Sequence, residues 1–338
     1  MSSAPAFLRA ASCPALVAAY RYSSTQIALL ERLLEAQAAQ LGAVETVAVG
    51  GSLGRFEASA DSDIDCIIVL RDDAALASGE QQVLLVHEIF AQTAFKAPKA
   101  NGIYRDGIAR RQLLDPRALG SLDEAPAVFG KRIQLLLDAR PVFAQQRCQG
   151  LQRAVIDWYA SDFIAQEPSR GWTYLSNDVM RYLHSYAAWQ QFKFERSADD
   201  SWQLRQAKFR SSRLLTFAAM MFLLGESDGN DNKREWLLER LPLTPLERLH
   251  VIMTRYDSAA YRALLLAYEA CFAALADSAV RATLVATGPD DETRMSAALD
   301  SNYERLRQSS AELAAQLTEF ALARRAQWGA RFFERWLF

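Results

Sequence analysis

The stretch VGGSLGRFEASADSDIDCIIVL, from Val49 to Leu70, constrains the fold of this chain more than any other. It contains a Gly-Gly-Ser turn and then two aspartates, Asp63 and Asp65, with one residue between them. Side chains alternate along a strand, so the two carboxylates lie on one face and the intervening Ile64 lies on the other. Two carboxylates this close repel each other unless a cation lies between them. The stretch therefore predicts a strand that presents a cation site.

The residue types around these aspartates are those of a phosphate site. Mg²⁺ takes oxygen ligands and keeps phosphate oxygens and water in its remaining positions. A turn at Gly51 and Ser52 lets the backbone approach a phosphate, to which its N–H groups and the serine hydroxyl would donate. Arg55 would neutralise further phosphate charge. We therefore predict a Mg²⁺ site formed by Asp63 and Asp65, with Mn²⁺ as an alternative ion.

The first part of the chain mixes strand and helix patterns. VETVAVGG and DIDCIIVL are predicted strands. Apolar residues recur at helical spacing from Ser24 or Thr25 to about Gln40 and again in GEQQVLLVHEIFAQTAF. The segment KRIQLLLDARPVF fits either a helix or a strand, and Pro141 must end or kink a helix there.

The character of the sequence changes after about Gln145, where glycine and proline become rare and long helical patterns dominate. A chain of 338 residues is also long for one compact domain. We therefore predict an α/β domain over residues 1–145 and an all-helical domain over residues 146–338.

Composition excludes some classes of protein. The formal net charge is -2 and the pI about 6.0, so no global basic field attracts nucleic acid. The four cysteines are scattered without a C-x-x-C pair, which indicates neither a zinc site nor a disulfide framework. The sequence shows no signal peptide and no uncharged run of membrane-spanning length. We expect a cytoplasmic protein without a membrane partner.

The Gly51-Ser52 turn and the Asp63-x-Asp65 pair, each on its own strand, resemble the nucleotidyltransferase superfamily. The segments LLLDARPVF, NDVMRYLHSYAAWQQFKFE and SWQLRQAKFRSSRLLTF are similar to bacterial stand-alone nucleotidyltransferases related to the signal-protein uridylyltransferases. The likeness covers roughly residues 40 to 225. It implies an α/β (α+β) nucleotidyltransferase domain with a mixed sheet, followed by a helical domain that closes the nucleotide cleft.

The resemblance also implies a third carboxylate on a nearby strand, as the base for the acceptor, and the sequence offers two candidates. Asp106, in GIYRDG, follows the helix after the Asp-x-Asp strand and is favoured. Asp138, in QLLLDARPV, is the alternative. A lone charge in an apolar run needs a partner, and Arg132 or Arg140 would supply one for Asp138.

Three basic or polar side chains of the second half share one helix face by their spacing: Arg205, Lys208 and Ser212. The resemblance implies that a lysine on such a helix reaches the triphosphate, which favours Lys208 with Ser212 beside it. The alternative is a solvated basic face without a ligand.

The segment SNDVMRYLHSY supplies further nucleotide-binding candidates. Asn177 and Asp178 at a helix N-terminus, with Arg181 one turn on, would hold the ribose or the base. The alternative is that Ser176 caps the helix and the others form an internal salt bridge.

The resemblance implies transfer of a nucleoside monophosphate from a nucleoside triphosphate, such as ATP, to an acceptor hydroxyl, with release of pyrophosphate. The acceptor stays open among a protein side chain, which the related uridylyltransferases favour, an RNA end and a small molecule. The alternative to an enzyme is a nucleotide sensor or protein-interaction module that keeps the fold without turnover.

Overall fold

The computed structural model describes residues 3–96, 102–118, 121–160, 171–197, 202–286 and 300–337. These residues are mostly helical, and four short strands among them form one mixed sheet, so the predicted combination of α and β structure is confirmed. Two compact units divide the chain. The first comprises Met1–Ser3, Ala19–Asp178 and Asn230–Thr244, and the second comprises Ala4–Ala18, Val179–Gly229 and Pro245–Phe338. The domain boundary predicted at residue 145 stays a prediction.

Helices account for most of both units. A π-helical turn, Phe209–Arg213, joins α9 to α10, and 3₁₀ turns cover Ala38–Gln40 and Pro116–Ala118. In chain order the α-helices of the described residues are α1 (Ala6–Ala10), α2 (Pro14–Ala36), α3 (Gly51–Gly54), α4 (Leu76–Phe90), α5 (Arg110–Leu113), α6 (Pro126–Leu137), α7 (Gln145–Ala160), α8 (Thr173–Ser197), α9 (Trp202–Lys208), α10 (Leu214–Ser227), α11 (Lys233–Leu238), α12 (Pro245–Met253), α13 (Ser258–Ala276), α14 (Ser278–Ala286), α15 (Asp300–Ala323), α16 (Arg325–Trp328) and α17 (Ala330–Leu337).

The sheet lies in the first unit and has the strand order β3-β2-β1-β4. Its strands are β1 (Val44–Gly50), β2 (Asp65–Leu70), β3 (Ile108–Ala109) and β4 (Arg140–Phe143). β1 pairs antiparallel with β2 and β4, and β2 pairs parallel with β3. Gly50 lies opposite Asp65 in this register, so the end of β1 meets the start of β2. Both strands predicted around the Gly-Ser turn are therefore confirmed.

One face of the sheet packs on α2 and α4. Cys66 and Ile68 of β2 join Leu30 and Leu34 of α2 and Val86 of α4 in one buried cluster. The residues of α2 follow helical spacing, and those of β2 follow the strand alternation. Apolar burial on this face fixes which side of β2 the aspartates occupy.

α2 begins ten residues before the predicted start at Ser24, at Pro14, where the proline ring suits the first turn of a helix. The carboxylate of Glu269 accepts hydrogen bonds from the backbone N–H groups of Ala15 at 2.8 Å and Leu16 at 3.0 Å. These residues belong to the second unit. A side chain distant in sequence thus caps the helix, and no local sequence signal marks that cap.

The ambiguous segment KRIQLLLDARPVF forms both kinds of structure. α6 ends at Leu137, Asp138 caps it, and β4 begins at Arg140. β4 lies at an edge of the sheet, where Pro141 removes no interior ladder hydrogen bond.

All the secondary-structure elements described in the second unit are helices. Every residue of α10 from Leu215 to Ser227 is buried, which explains its nearly continuous apolar sequence. α12 begins at Pro245, where the proline ring suits the first turn of a helix. Among the described residues one helix, α13, is long and apolar enough to cross a membrane by length and composition alone, a test that core helices also pass. The absence of a membrane partner stays a prediction.

Candidate functional site

The Gly-Ser turn lies directly against the carboxylate of Asp65. Gly51 has a φ of +62°, in the left-handed region that favours glycine. A Cβ at this position would lie 2.5 Å from Asp65 Oδ2, closer than non-bonded atoms approach. Ser52 follows in the first turn of α3 and is half-buried. The structure thus brings together Gly51, Ser52 and Asp65 from the set of predicted site residues.

Asp63 and Asp65 alternate with buried residues in the predicted way. Asp63 is exposed and Asp65 is half-buried, whereas Ile64 and Cys66 are buried. Burial raises the pKa of the Cys66 thiol to about 12, and the charge of Asp65 adds to that shift. Asp63 lies two residues before β2, and its backbone forms an isolated parallel β-bridge with Lys96. The exposed position of Asp63 leaves its carboxylate accessible to a ligand.

The carboxylate oxygens of Asp63 and Asp65 suit a hard cation, although two carboxylates are few ligands for one. Among the residues that the structure describes, no group of three or more His, Cys, Asp or Glu side chains is arranged to hold a metal ion. Asp63 and Asp65 offer carboxylate oxygens, the ligand type that Mg²⁺ prefers. Since two carboxylates do not fill an octahedral shell, an ion held here would need oxygens from water or phosphate.

A buried polar face of α6 adds residues that the sequence interpretation missed. Lys131 and Gln134 lie on this face with Asp138, and all three are buried. The Gln134 side chain occupies the space beside Gly50, and its Oε1 accepts a hydrogen bond from the Tyr104 hydroxyl. The signal for this face was polar residues at i, i+3 and i+7 within an apolar helix, which places them on one side.

Lys131 connects α6 to the favoured third carboxylate. Its Nζ donates to the backbone oxygen of Asp106 at 2.5 Å. Burial lowers the pKa of Lys131, and the nearby Asp106 charge opposes that shift. The side chain of Asp106 is exposed, two residues before β3. Its role as the base stays a prediction.

Asp138, the alternative third carboxylate, lies in the interior and pairs with Arg55 rather than with the predicted Arg132 or Arg140. Its Oδ2 accepts from Arg55 Nη1 at 2.7 Å. Its Oδ1 is buried and has no hydrogen-bond partner among the described residues. Arg132 of α6 instead pairs with Glu124, which precedes that helix, and both side chains are buried, so this arginine is unavailable to Asp138.

The contacts of Arg55 give no support to its predicted role at phosphate. Only 4% of its side chain is exposed. Its Nε donates to Glu57 Oε2 at 2.7 Å, and its Nη1 donates to Asp138. Two buried carboxylates therefore already neutralise the Arg55 guanidinium, which the sequence analysis expected to neutralise phosphate.

The contacts of Asp178 give no support to ribose or base binding either. It is buried and accepts a hydrogen bond at 2.7 Å from the Tyr159 hydroxyl, with Arg132 at 3.9 Å. α8 begins at Thr173, so Ser176 lies inside the first turn instead of capping the helix. Asn177 is exposed.

The remaining predicted residues belong to the second unit. Lys208 ends α9 and is exposed, and Ser212 lies in the π-helical turn that follows. The Ser212 hydroxyl donates to the Lys208 backbone oxygen at 3.4 Å, which confirms that the two positions share a face. Arg181, on α8, is half-buried. The nucleotide-binding roles of all three stay predictions.

No protein-family model, curated protein or solved structure matches this chain. The family resemblance therefore depends on sequence alone: the Gly-Ser turn, the Asp-x-Asp pair and the similar segments further along the chain.

Proposed function

We propose that this protein is a Mg²⁺-dependent nucleotidyltransferase with a nucleotidyltransferase domain built around β1 and β2. The observation that carries the proposal is the contact between Gly51 and Asp65 Oδ2. A phosphate on the Gly51-Ser52 turn would lie beside a carboxylate, and only a bound cation makes that arrangement favourable. Asp63 supplies a second oxygen ligand on the accessible side.

In this proposal the aspartates serve to neutralise charge and the Gly-Ser turn serves to position the phosphates. Asp63 and Asp65 would hold Mg²⁺, which neutralises phosphate charge when bound. Gly51 and Ser52 would hold the β- and γ-phosphates. The acceptor oxygen then bonds to the α-phosphorus, the bond from that phosphorus to the bridging oxygen of the β-phosphate breaks, and pyrophosphate leaves. Positioning and charge neutralisation supply most of such catalysis.

The base that takes the acceptor proton is assigned to Asp106. Its exposed carboxylate is open to a substrate, whereas Asp138 is buried and paired with Arg55. The favoured acceptor is a hydroxyl of a protein side chain, because the segments resembling the signal-protein uridylyltransferases extend beyond the motif itself. An RNA 3′ end and a small molecule are the other acceptors that this chemistry serves.

A second candidate function is nucleotide binding without turnover. The observation that favours it is the shortage of carboxylates, since the described residues hold no group of three or more His, Cys, Asp or Glu side chains suited to a metal. The carboxylate of Asp138 is buried and paired with Arg55. Such a protein would act as a sensor or as a protein-interaction module.

One experiment separates these functions. The purified protein is incubated with each of four nucleoside triphosphates, with and without Mg²⁺, while pyrophosphate release and ligand affinity are measured. Magnesium-dependent pyrophosphate release that Asp65→Asn abolishes would support the enzyme. Binding without release would support the sensor. If no triphosphate binds to the wild type, both functions are wrong.

A further inference from the structure

The turn from Gly50 to Gly54 is held between two carboxylates. On one side Asp65 Oδ2 fills the space beside Gly51. On the other side the end of α6 packs so closely that the backbone oxygen of Asp138 occupies the place of a Cβ on Gly54, and its Oδ1 lies 3.2 Å from the place of a Cβ on Gly50. These approaches leave no room for a side chain at Gly50, Gly51 or Gly54.

Arg55 extends the contact between Asp138 and the turn. It follows Gly54 directly, and its guanidinium joins Asp138 Oδ2 and Glu57 Oε2, each at 2.7 Å. The exposed fractions of the three side chains are 4% or less. Formal charges of one arginine and two carboxylates sum to a negative charge, so the loss of either arginine contact leaves a buried carboxylate without compensation.

We propose that the pair of Asp138 and Arg55 is a positioning device, which fixes the Gly51-Ser52 turn against the carboxylate of Asp65. Asp138 acts through the turn and does not touch the substrate. What the turn holds depends on the proposed function, in which it binds the triphosphate, but the positioning itself is independent of any ligand.

The amide hydrogens of the turn report its order directly. Arg55 N donates to Gly51 O at 3.1 Å, Phe56 N donates to Leu53 O at 3.1 Å, and Glu57 N donates to Ser52 O at 2.7 Å. Hydrogen exchange at these amides requires the turn to open. Their exchange rates therefore measure positioning in the protein without ligand.

The test compares Asp138→Asn with Glu124→Gln in the full chain. Glu124 is also a buried carboxylate paired with an arginine, and that arginine is Arg132 of α6 rather than a residue of the turn. We expect Asp138→Asn to speed exchange in a peptide covering residues 51–57 by at least about tenfold, and Glu124→Gln to leave that peptide near the wild-type rate. Equal rates in Asp138→Asn and wild type, or equal acceleration in both variants, would overturn the proposal.

A second variant covers the case in which Asp138→Asn does not fold. Arg55→Lys keeps the positive charge but lacks the forked guanidinium that reaches both carboxylates, so the same acceleration is expected. Titration with a triphosphate and Mg²⁺ then adds a functional readout: Asp138→Asn should weaken affinity at least about tenfold and Glu124→Gln should not. A wild type that binds no triphosphate would contradict the proposed function, whereas the exchange result alone decides the positioning role.

Discussion

Asp65 Oδ2 lies 2.5 Å from the point at which a side chain at Gly51 would begin. This close approach joins the Gly-Ser turn to the Asp-x-Asp strand. Neither the turn nor the aspartate pair would indicate a phosphate site without the other. It also makes residue 51 the position at which the smallest substitution should have the largest effect on the site.

Gly51→Ala should destabilise the protein and remove Mg²⁺-dependent triphosphate binding. Alanine at a φ of +62° is strained by about 1–3 kcal/mol, and its methyl group would displace the Asp65 carboxylate. Gly42→Ala is the matched control, because a Cβ there meets no atom within 4 Å. Urea unfolding and nucleotide titration measure both effects. Equal stabilities of the two variants would show that the turn adapts.

Asp63→Asn and Asp65→Asn should each remove the stabilisation that Mg²⁺ and a triphosphate together give the wild type. The amide keeps the size of the carboxylate but loses its charge, so the ligand-free melting temperature should hold or rise as repulsion is relieved. Thermal shifts with nucleotide, with and without Mg²⁺, measure the effect. Asp73→Asn, at an exposed carboxylate outside the motif, is the control. A Mg²⁺-dependent shift that survives in both motif variants would exclude this metal site.

Lys208→Ala should weaken triphosphate binding by roughly ten- to a hundredfold, because a contact between a lysine and charged oxygens is lost. Monophosphate binding should change little, since a monophosphate lacks the phosphate tail. Arg210→Ala, at a neighbouring exposed position, is the control for a general change in charge. Titrations of both nucleotides with Mg²⁺ separate the cases. Equal weakening of the two ligands would exclude Lys208 from the triphosphate site.

His250 should make the protein less stable in mild acid. Burial lowers the pKa of His250, whose ring stacks on Phe7 with centroids 4.5 Å apart, and the Glu247 charge opposes that shift. The folded state therefore favours the neutral ring. As the pH falls below about 6.5, the unfolded chain takes up a proton more readily and the folded state loses stability.

His250→Phe keeps the aromatic stack and removes this titration, so the loss of stability between pH 7 and pH 5 should be smaller than in the wild type. Urea unfolding at several pH values measures the slope. His184→Phe, at an exposed histidine of the same unit, is the control. Parallel stability curves for wild type and His250→Phe would contradict the prediction.

The sequence by itself determined the two strands around the turn and the face of β2 on which the aspartates lie. Alternation is a local property, and the buried Ile64 and Cys66 alternate with the exposed Asp63 and the half-buried Asp65. The sequence also located the helices on either side of these strands, α2 and α4, although α4 begins at Leu76 and ends at Phe90, earlier at both ends than predicted. Helix ends depend on contacts that periodicity does not report.

The tertiary structure alone decided which charges are paired in the interior. Arg55 and Asp138 are 83 positions apart, and Glu269 caps α2 through Leu16, which is 253 positions away. An arginine beside a glycine turn has the same sequence signature whether it binds phosphate or a buried carboxylate. The difference is set by the approach of α6 to the turn, because a charge in a low-dielectric interior must find its partner there, and no pattern along the chain encodes that approach.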